Sequence, residues 1–407
     1  MTQTSSVGAA EPKQPWLIAG IATLVLTFCF GAPWITTVAL TEIASETGGV
    51  RSVPSLAVAL AWFGSGFGGI AMGWAAERVG VRWTVAFGAM MIGLGLVLST
   101  LGPGWPMNLG HGFFVGLFGL AGINAPLFVY VSKLFERRRG SALALISSGS
   151  YLAGAIWPPI FAHSIAHIGW RQTMLWYAAL TIVVVVPLAL IFLKAPPAAA
   201  PSAATLPSNG MRPTVLGWPP NVTFALLAAA IFLCCVPMAM PQSQVVAFCG
   251  DLGISASHGA AMLSVMLAAA FISRQVWGLI ADRIGGLLTV LVGSAVQAIT
   301  MSAFLVTQDE VGLFAVAAAF GLGFSGLIPA TILAARELFP VREASWRIPI
   351  MLLCSASGMA TGGWLAGILY DYFGSYGPAF AVGIGINLVN FSVIAVLTWR
   401  QQRYAAA

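Results

Sequence analysis

A chain of 407 residues that is 59% hydrophobic and only 7% charged cannot clothe a water-facing surface, because soluble domains average about 25% charged residues. Most of it must face lipid or other apolar helices, which makes it a polytopic helical membrane protein. The net charge of +6 does not signal nucleic-acid binding, since the basic residues lie in short loops between apolar runs, where they set membrane topology.

Taken in order, apolar runs of about 20 residues give twelve spans: 16–40, 53–76, 83–101, 105–133, 139–165, 171–194, 221–248, 257–281, 287–307, 310–336, 344–370 and 376–399. The predicted fold is all-α, with six-helix bundles at 1–194 and 221–407 joined by a cytoplasmic linker at 195–220. That linker, APPAAAPSAATLPSNGMRPTVLGWPP, is rich in Pro, Ala and Ser and reads as extended or disordered. The first run does not end in a small-residue cleavage site, so it reads as a retained helix rather than a signal peptide. Cys29, Cys234, Cys235 and Cys354 lie inside apolar runs, without disulfide or zinc spacing.

With the N-terminus placed inside, fifteen of the 18 Lys and Arg residues fall on the cytoplasmic side. Only Arg51 and Arg171 fall outside, and Arg274 lies within the membrane. This asymmetry predicts a multi-pass protein of the cell (inner) membrane with both termini cytoplasmic.

The two halves repeat. GWAAERVG (Gly73–Gly80) matches GLIADRIG (Gly278–Gly285) at an offset of 205 residues, and at the same offset Arg137 falls on Arg342. SGSYLAG (Ser148–Gly154) similarly resembles SGMATGG (Ser357–Gly363), on the fifth span of each half. Two such bundles with a site near the midplane are what a rocking transporter is built from. Glu77, Arg78, Asp282 and Arg283 occupy the duplicated turns. They are expected to form a cytoplasmic gate, carboxylates pairing with neighbouring arginines in one state.

In the eighth span, AAAFISRQVWGLIADRIGG, Arg274 stands eight positions before Asp282, roughly 12 Å deeper than the membrane-edge charges at helical rise. An arginine there costs ~2.5–3.5 kcal/mol on insertion scales, so it marks a functional site with an anionic partner. No carboxylate lies at comparable depth in the sequence, and the missing partner is therefore read as the substrate, an organic anion. The planar guanidinium offers five donors that match a carboxylate bidentately. One buried cation is neutralised by a monoanion, whereas a dianion leaves a charge unpaired in low dielectric. Monocarboxylate is favoured.

Asn124 in the fourth span, Gln242 and Gln244 in the seventh, and Ser355 in the eleventh are further candidates to bond ligand oxygens, although such residues are more often interhelical glue. Pro237 and Pro241 are expected to interrupt the backbone bonding of the seventh span, as in helices that line cavities. Among many aromatic residues inside spans, Tyr151 and Trp34 are expected to face the cavity, where stacking and cation–π contacts around Arg274 would suit a flat or aromatic acid.

For coupling, Glu42, Glu46, Asp371, His111, His163 and His167 lie toward the outer ends of spans, and no intramembrane carboxylate relay is evident. Either anion exchange or symport with a proton carried on the cargo or a peripheral group is expected. No metal cluster, nucleophile–base pair or phosphate-cradling loop stands out, so neither an enzyme nor a cofactor is predicted. The expected partners are a small carboxylate and the lipid bilayer, without nucleic acid, for a chain acting as a monomer. The alternative is efflux of hydrophobic compounds, suggested by the aromatic richness.

The segments Gly73–Arg82 and Gly278–Gly285 resemble the signature turn of the major facilitator superfamily. SRQVWGLIADRIGG resembles the eighth helix of monocarboxylate transporters and oxalate/formate exchangers, and ERRRGSALALISSGSYLAGAIWPP (Glu136–Pro159) resembles that group's fifth helix. The resemblance implies a secondary transporter working by alternating access, with Arg274 binding the substrate carboxylate. Two features depart from it. The aspartate that precedes this arginine by one turn in proton-coupled monocarboxylate transporters is Ala270 here, and Trp16–Leu40 contains no lysine where they have one in the first helix. Where the exchangers carry a second cation on helix 11, the stretch LLCSASGMATGG offers Ser355.

Overall fold

The computed structural model describes residues 13–135, 138–193 and 214–405. Its spans begin with α1 (Pro15–Val38), α2 (Ser52–Val79), α3 (Val81–Ser99) and α4 (Trp105–Leu134). The next apolar segment, Ser141–Phe192, is long enough for two. At Gly169 the backbone takes φ 75° and ψ 163°, a region that costs any residue with a Cβ. The chain doubles back there, because Phe161 packs on Trp176 and Tyr177 with ring centroids 6.2 and 4.9 Å apart. The segment therefore supplies α5 (141–168) and α6 (170–192). The second half adds α7 (Pro220–Asp251), α8 (Ala256–Ile284), α9 (Gly286–Val306), α10 (Glu310–Leu338), α11 (Trp346–Phe373) and α12 (Gly377–Tyr404). The twelve-span reading agrees with this arrangement.

The duplicated sequence is also duplicated geometry. Gly80 (φ 96°) ends α2 and Gly285 (φ 82°) ends α8, and in each case the next helix starts at once. The face where α1 begins and α12 ends is called the terminal face below.

Three expectations are corrected. Residues 194–213 of the linker lie outside the described residues, but its end is a tight hairpin rather than extended chain. Val215 and Trp218 exchange backbone hydrogen bonds of 2.8 and 3.1 Å, around Leu216 and Gly217 at φ 54° and 74°, the paired positive φ values of a type I′ turn. Arg400 of α12 clamps it, donating to the Leu216 carbonyl at 3.1 Å and lying 3.6 Å over the Trp218 ring. The second correction concerns α7, which runs unbroken through Pro237 and Pro241 and is buried at every position from Cys234 to Ala247. Each proline lacks a donor and frees the carbonyl four residues back, but the helix continues through both and is packed on all sides.

The third is His111, which is fully buried rather than open to the outer compartment. Ser99 Oγ donates to the Gly95 carbonyl at 2.7 Å and so accepts from His111 Nδ1 at 3.0 Å; His111 Nε2 then accepts from the Thr36 hydroxyl at 2.8 Å. This neutral ring ties α1, α3 and α4 together where α4 is wound as a π-helix (Gly110–Leu120).

On the far side of the N-terminal bundle, Arg171 forks onto Glu46 with two bonds of 2.6 Å, and Trp170 donates to the same carboxylate at 3.0 Å. The Arg171 hydrogen bonds hold the Glu46 carboxyl below the usual range. A lowered folded-state value contributes stability that is present above the ordinary pKa and is lost as pH falls through the lowered one. Thermal unfolding should therefore separate Glu46→Gln from the parent at neutral pH, and the gap should shrink as pH falls below 4.5. Packing is tested at Gly362 of α11, where a Cβ would lie 2.0 Å from the Val236 carbonyl oxygen of α7. Gly362→Val should destabilise by about 1–3 kcal/mol through overpacking, seen as a lower Tm, whereas Gly385→Ala, at a helical position with open space around it, should not lower Tm.

Candidate functional site

The two bundles meet where α5 packs on α8. Gly154 of α5 is so close to α8 that a Cβ there would lie 2.0 Å from Leu267 Cδ1 and 3.2 Å from Trp34 Cε2 of α1. One to two turns nearer the terminal face, the Arg274 guanidinium of α8 lies 5.1 Å from the centroid of the Tyr151 ring of α5. Both side chains are half-buried. The structure thus brings Arg274 and Tyr151 together across the bundle boundary, with the buried Trp34 one layer away.

The neighbours of Arg274 fix its helix. The Ser273 hydroxyl lies 2.6 Å from Ser325 Oγ and 3.4 Å from the Gly321 carbonyl oxygen. Trp277 Nε1 donates to the Leu322 carbonyl at 2.7 Å. These acceptors are available because α10 opens at Ser325 and Gly326, between its segments Glu310–Phe324 and Leu327–Leu338, and freed carbonyls need donors. α8 is therefore bonded to α10 on either side of Arg274. The ion pairs among the described residues are Arg51–Asp251, Arg171–Glu46, His258–Glu310 and Arg347–Glu343. None includes Arg274.

The other predicted residues are more scattered. Ser355 of α11 lies with its hydroxyl 3.2 Å from Cys235 Sγ of α7. Gln242 is 5% exposed, and its Nε2 has no hydrogen-bond partner among the described residues. Asn124 is half-buried on α4. Gln244 is committed elsewhere: Nε2 donates to Ser55 Oγ at 2.9 Å and to the Gly363 carbonyl at 3.1 Å, and Oε1 accepts from Tyr376 at 2.8 Å.

Gln244 belongs to a latch that the sequence reading missed. Arg51, 8% exposed at the start of α2, donates to Asp251 at 2.7 Å and to the Tyr376 hydroxyl at 2.8 Å. Its guanidinium lies 3.6 Å from the centroid of the Tyr370 ring. Donors then run one way round a closed circuit: Arg51 to Tyr376, Tyr376 to Gln244, Gln244 to Ser55, and Ser55 back to the Arg51 carbonyl at 2.8 Å. Such circuits polarise and strengthen their members. Burial pushes the Tyr376 phenol up, so it remains a donor. Asp371 caps α2 by accepting from the Arg51 and Ser52 amides at 2.7 and 2.9 Å. Asp371 is thus a structural cap here, beyond the peripheral carboxylate that the sequence suggested.

This latch joins the N-terminal bundle to α7 and α11 at the face opposite the terminal one. Glu77, Arg78, Asp282 and Arg283 are all exposed on the terminal face. Arg78 stacks on Trp74 at 3.8 Å, and none of the four forms an ion pair among the described residues. In this conformation the closure lies at the other end. Duplicated turns drew attention to the terminal face, whereas the latch residues are spread along the chain without a local motif. Arg51 was the one hint, as one of two cations on the sparsely charged side.

Losing a hydrogen bond to a charged group costs about 1.5–3 kcal/mol. Arg51→Ala or Asp251→Asn should therefore shift the population tenfold or more toward a form open at the latch. Spin labels at the exposed Ser45 and Ser257 should report a longer distance in the variants than in the parent.

The chain's comparisons agree with this architecture. The sequence profile of the Major Facilitator Superfamily matches residues 20–245 and 222–407. The chain is similar to monocarboxylate transporter 13 of Bos taurus, 24% identical over 86% of this chain and 80% of the relative. It is also similar to the MFS-type transporter pynF of Aspergillus niger, 26% identical over 86% of this chain and 80% of the relative. Among solved structures, a bacterial homologue of the human lysosomal transporter Spinster, in an inward-facing and occupied conformation, superposes with a TM-score of 0.76 at 13% identity, covering 96% of this chain and 98% of that one. Sequence profile, helix count and repeated turns converge: the chain belongs to the Major Facilitator Superfamily, as a multi-pass membrane transporter and not an enzyme, and within that family it resembles the monocarboxylate transporter group.

Proposed function

We propose that the chain is a secondary active transporter of an organic monocarboxylate, with Arg274 holding the carboxylate and the two bundles rocking around it. The observation that carries this reading is Arg274 itself. It is half-buried at mid-depth where the bundles meet, its helix is bonded to α10 on both flanks, and it lies against Tyr151 while forming no ion pair with a carboxylate among the described residues.

The physical sequence follows from that charge. An empty site carries an unpaired cation, and closing water out of it is costly. A bound monoanion neutralises the guanidinium through two parallel hydrogen bonds, so the loaded protein closes and rocks more readily than the empty one. This asymmetry favours exchange of one anion for another. Ser355, Gln242 and Asn124 are the polar side chains proposed to bond further oxygens of the cargo, and Tyr151 and Trp34 its apolar body. Gln244 acts through the latch. The excess of Lys and Arg on the terminal face supports a cytoplasmic location for both termini. In that orientation the Arg51–Asp251 latch seals the outer side, and this conformation faces inward. Glu77, Arg78, Asp282 and Arg283 would then pair when the transporter opens outward.

Truncating one partner of a desolvated charge pair costs on the order of 2–5 kcal/mol. Arg274→Ala should therefore lower uptake of a labelled monocarboxylate into proteoliposomes 30-fold or more. Arg274→Lys should lose at least tenfold, since an ammonium cannot replace the planar fork. Normal uptake by Arg274→Ala at equal reconstitution would remove the proposal. So would thermal stabilisation of the parent by lipophilic cations but not by carboxylates.

A further inference from the structure

We infer that the terminal face of the N-terminal bundle carries a binding site for a phosphate anion, supplied in the membrane by the headgroup of an anionic phospholipid. A cavity of about 320 Å³ opens there between α2, α3 and α4, lined among others by Glu77, Arg82, Tyr130 and Lys133. Arg82 and Lys133 are exposed, and neither forms an ion pair among the described residues. Among the described lining residues two cations, Arg82 and Lys133, stand against one acid, Glu77, with Arg78 next to it in sequence, so the cavity favours a negative charge. Basic pockets between spans at a membrane surface suit anionic headgroups.

Its level in the membrane is marked independently. Trp74 and Trp83 are 58% and 49% exposed beside the cavity. Arg78 lies 3.8 Å from the centroid of the Trp74 ring, and Arg82 5.3 Å from that of Trp83. Exposed tryptophans concentrate at the headgroup level, so the cavity mouth meets the phosphate layer rather than hydrocarbon.

The internal repeat supplies a control. At the offset of 205 residues, Val81, Arg82, Tyr130 and Lys133 correspond to Gly286, Leu287, Ala335 and Leu338 of the C-terminal bundle. There the same corner is shut. Leu287 and Ala335 are fully buried. A Cβ on Gly286 would lie 2.4 Å from the Ala334 backbone nitrogen, and the Gly286 amide donates to Glu337 at 3.1 Å. In this copy a buried leucine and a carboxylate that accepts from the backbone close the corner. In the other copy it is open and cation-lined. Arg82 of α3 and Lys133 of α4 both line the opening, and they are assigned as the two donors to one phosphate.

The test uses the purified full chain in neutral detergent, with thermal unfolding and native mass spectrometry as readouts. Added phosphatidylglycerol should raise Tm by several degrees and persist as a bound adduct, whereas phosphatidylcholine of the same chain length should do neither. Inorganic phosphate at equal concentration separates the sources, and a shift as large as that of phosphatidylglycerol would overturn the lipid assignment. Arg82→Gln combined with Lys133→Gln should lose at least half of the shift and the adduct. Arg403→Gln removes another exposed cation of the same face, 4.0 Å from the Trp399 ring centroid, and should keep both. A double variant that retains the parental response would overturn the inference. Equal loss in Arg403→Gln would overturn it too, by reducing the effect to the net charge of the face.

Discussion

A cation drawn away from bulk water must find negative charge or electron density, and three arginines of this chain meet that demand differently. Arg51 is neutralised by Asp251 and roofed by Tyr370. Arg347, 2% exposed at the start of α11, pairs with Glu343 at 2.7 Å and sits among Phe339, Trp346 and Phe224 with ring centroids 4.1, 4.8 and 4.9 Å away. Arg274 has the Tyr151 ring and its own exposure. A ring face offsets only part of the cost of a buried charge, about 2 kcal/mol when desolvated. In the proposed function, what completes the third arginine is the cargo, the group that comes and goes in a transporter.

The rest of the architecture serves that charge. α10 opens at Ser325 and Gly326 so that Ser273 and Trp277 can fasten α8 on either side of Arg274. The neutral His111 network and the Glu46–Arg171 fork make the N-terminal bundle rigid, while Arg347 and the Leu216–Gly217 hairpin do so for the other. Rigid bodies confine motion to the interface. There the two sets of contacts differ in kind: a hydrogen-bonded circuit of four residues at one face, and exposed charges without ion pairs among the described residues at the other. Such an imbalance between ends is what a two-state rocking element requires.

Much of the fold was legible in the sequence. Lipid demands apolar runs of fixed length, so the span count follows from counting, and the matched turns at Gly80 and Gly285 reveal the two bundles. Arg274 stood out because a lone charge in a span is expensive, and Tyr151 as an aromatic residue inside a span; the structure places the guanidinium 5.1 Å from the centre of that ring. The latch was not. Arg51, Ser55, Gln244, Asp251 and Tyr376 are separated by most of the chain, and only the closed arrangement of the bundles brings them together. For the same reason Gln244 read as a ligand candidate when its partners are protein, and α7 read as interrupted when packing holds it whole. The end of the linker read as extended from its composition, but two residues with positive φ and one arginine from α12 suffice to fold it.

The central claim is that the negative charge of the cargo completes Arg274. Titration calorimetry of the purified protein with a monocarboxylic acid and its methyl ester tests this most directly, because the two share shape and differ in charge. The account expects the acid to bind and the ester to bind at least tenfold more weakly, with Arg274→Ala abolishing that difference. An ester that binds as tightly as the acid, or an Arg274→Ala variant that still discriminates between them, would contradict it.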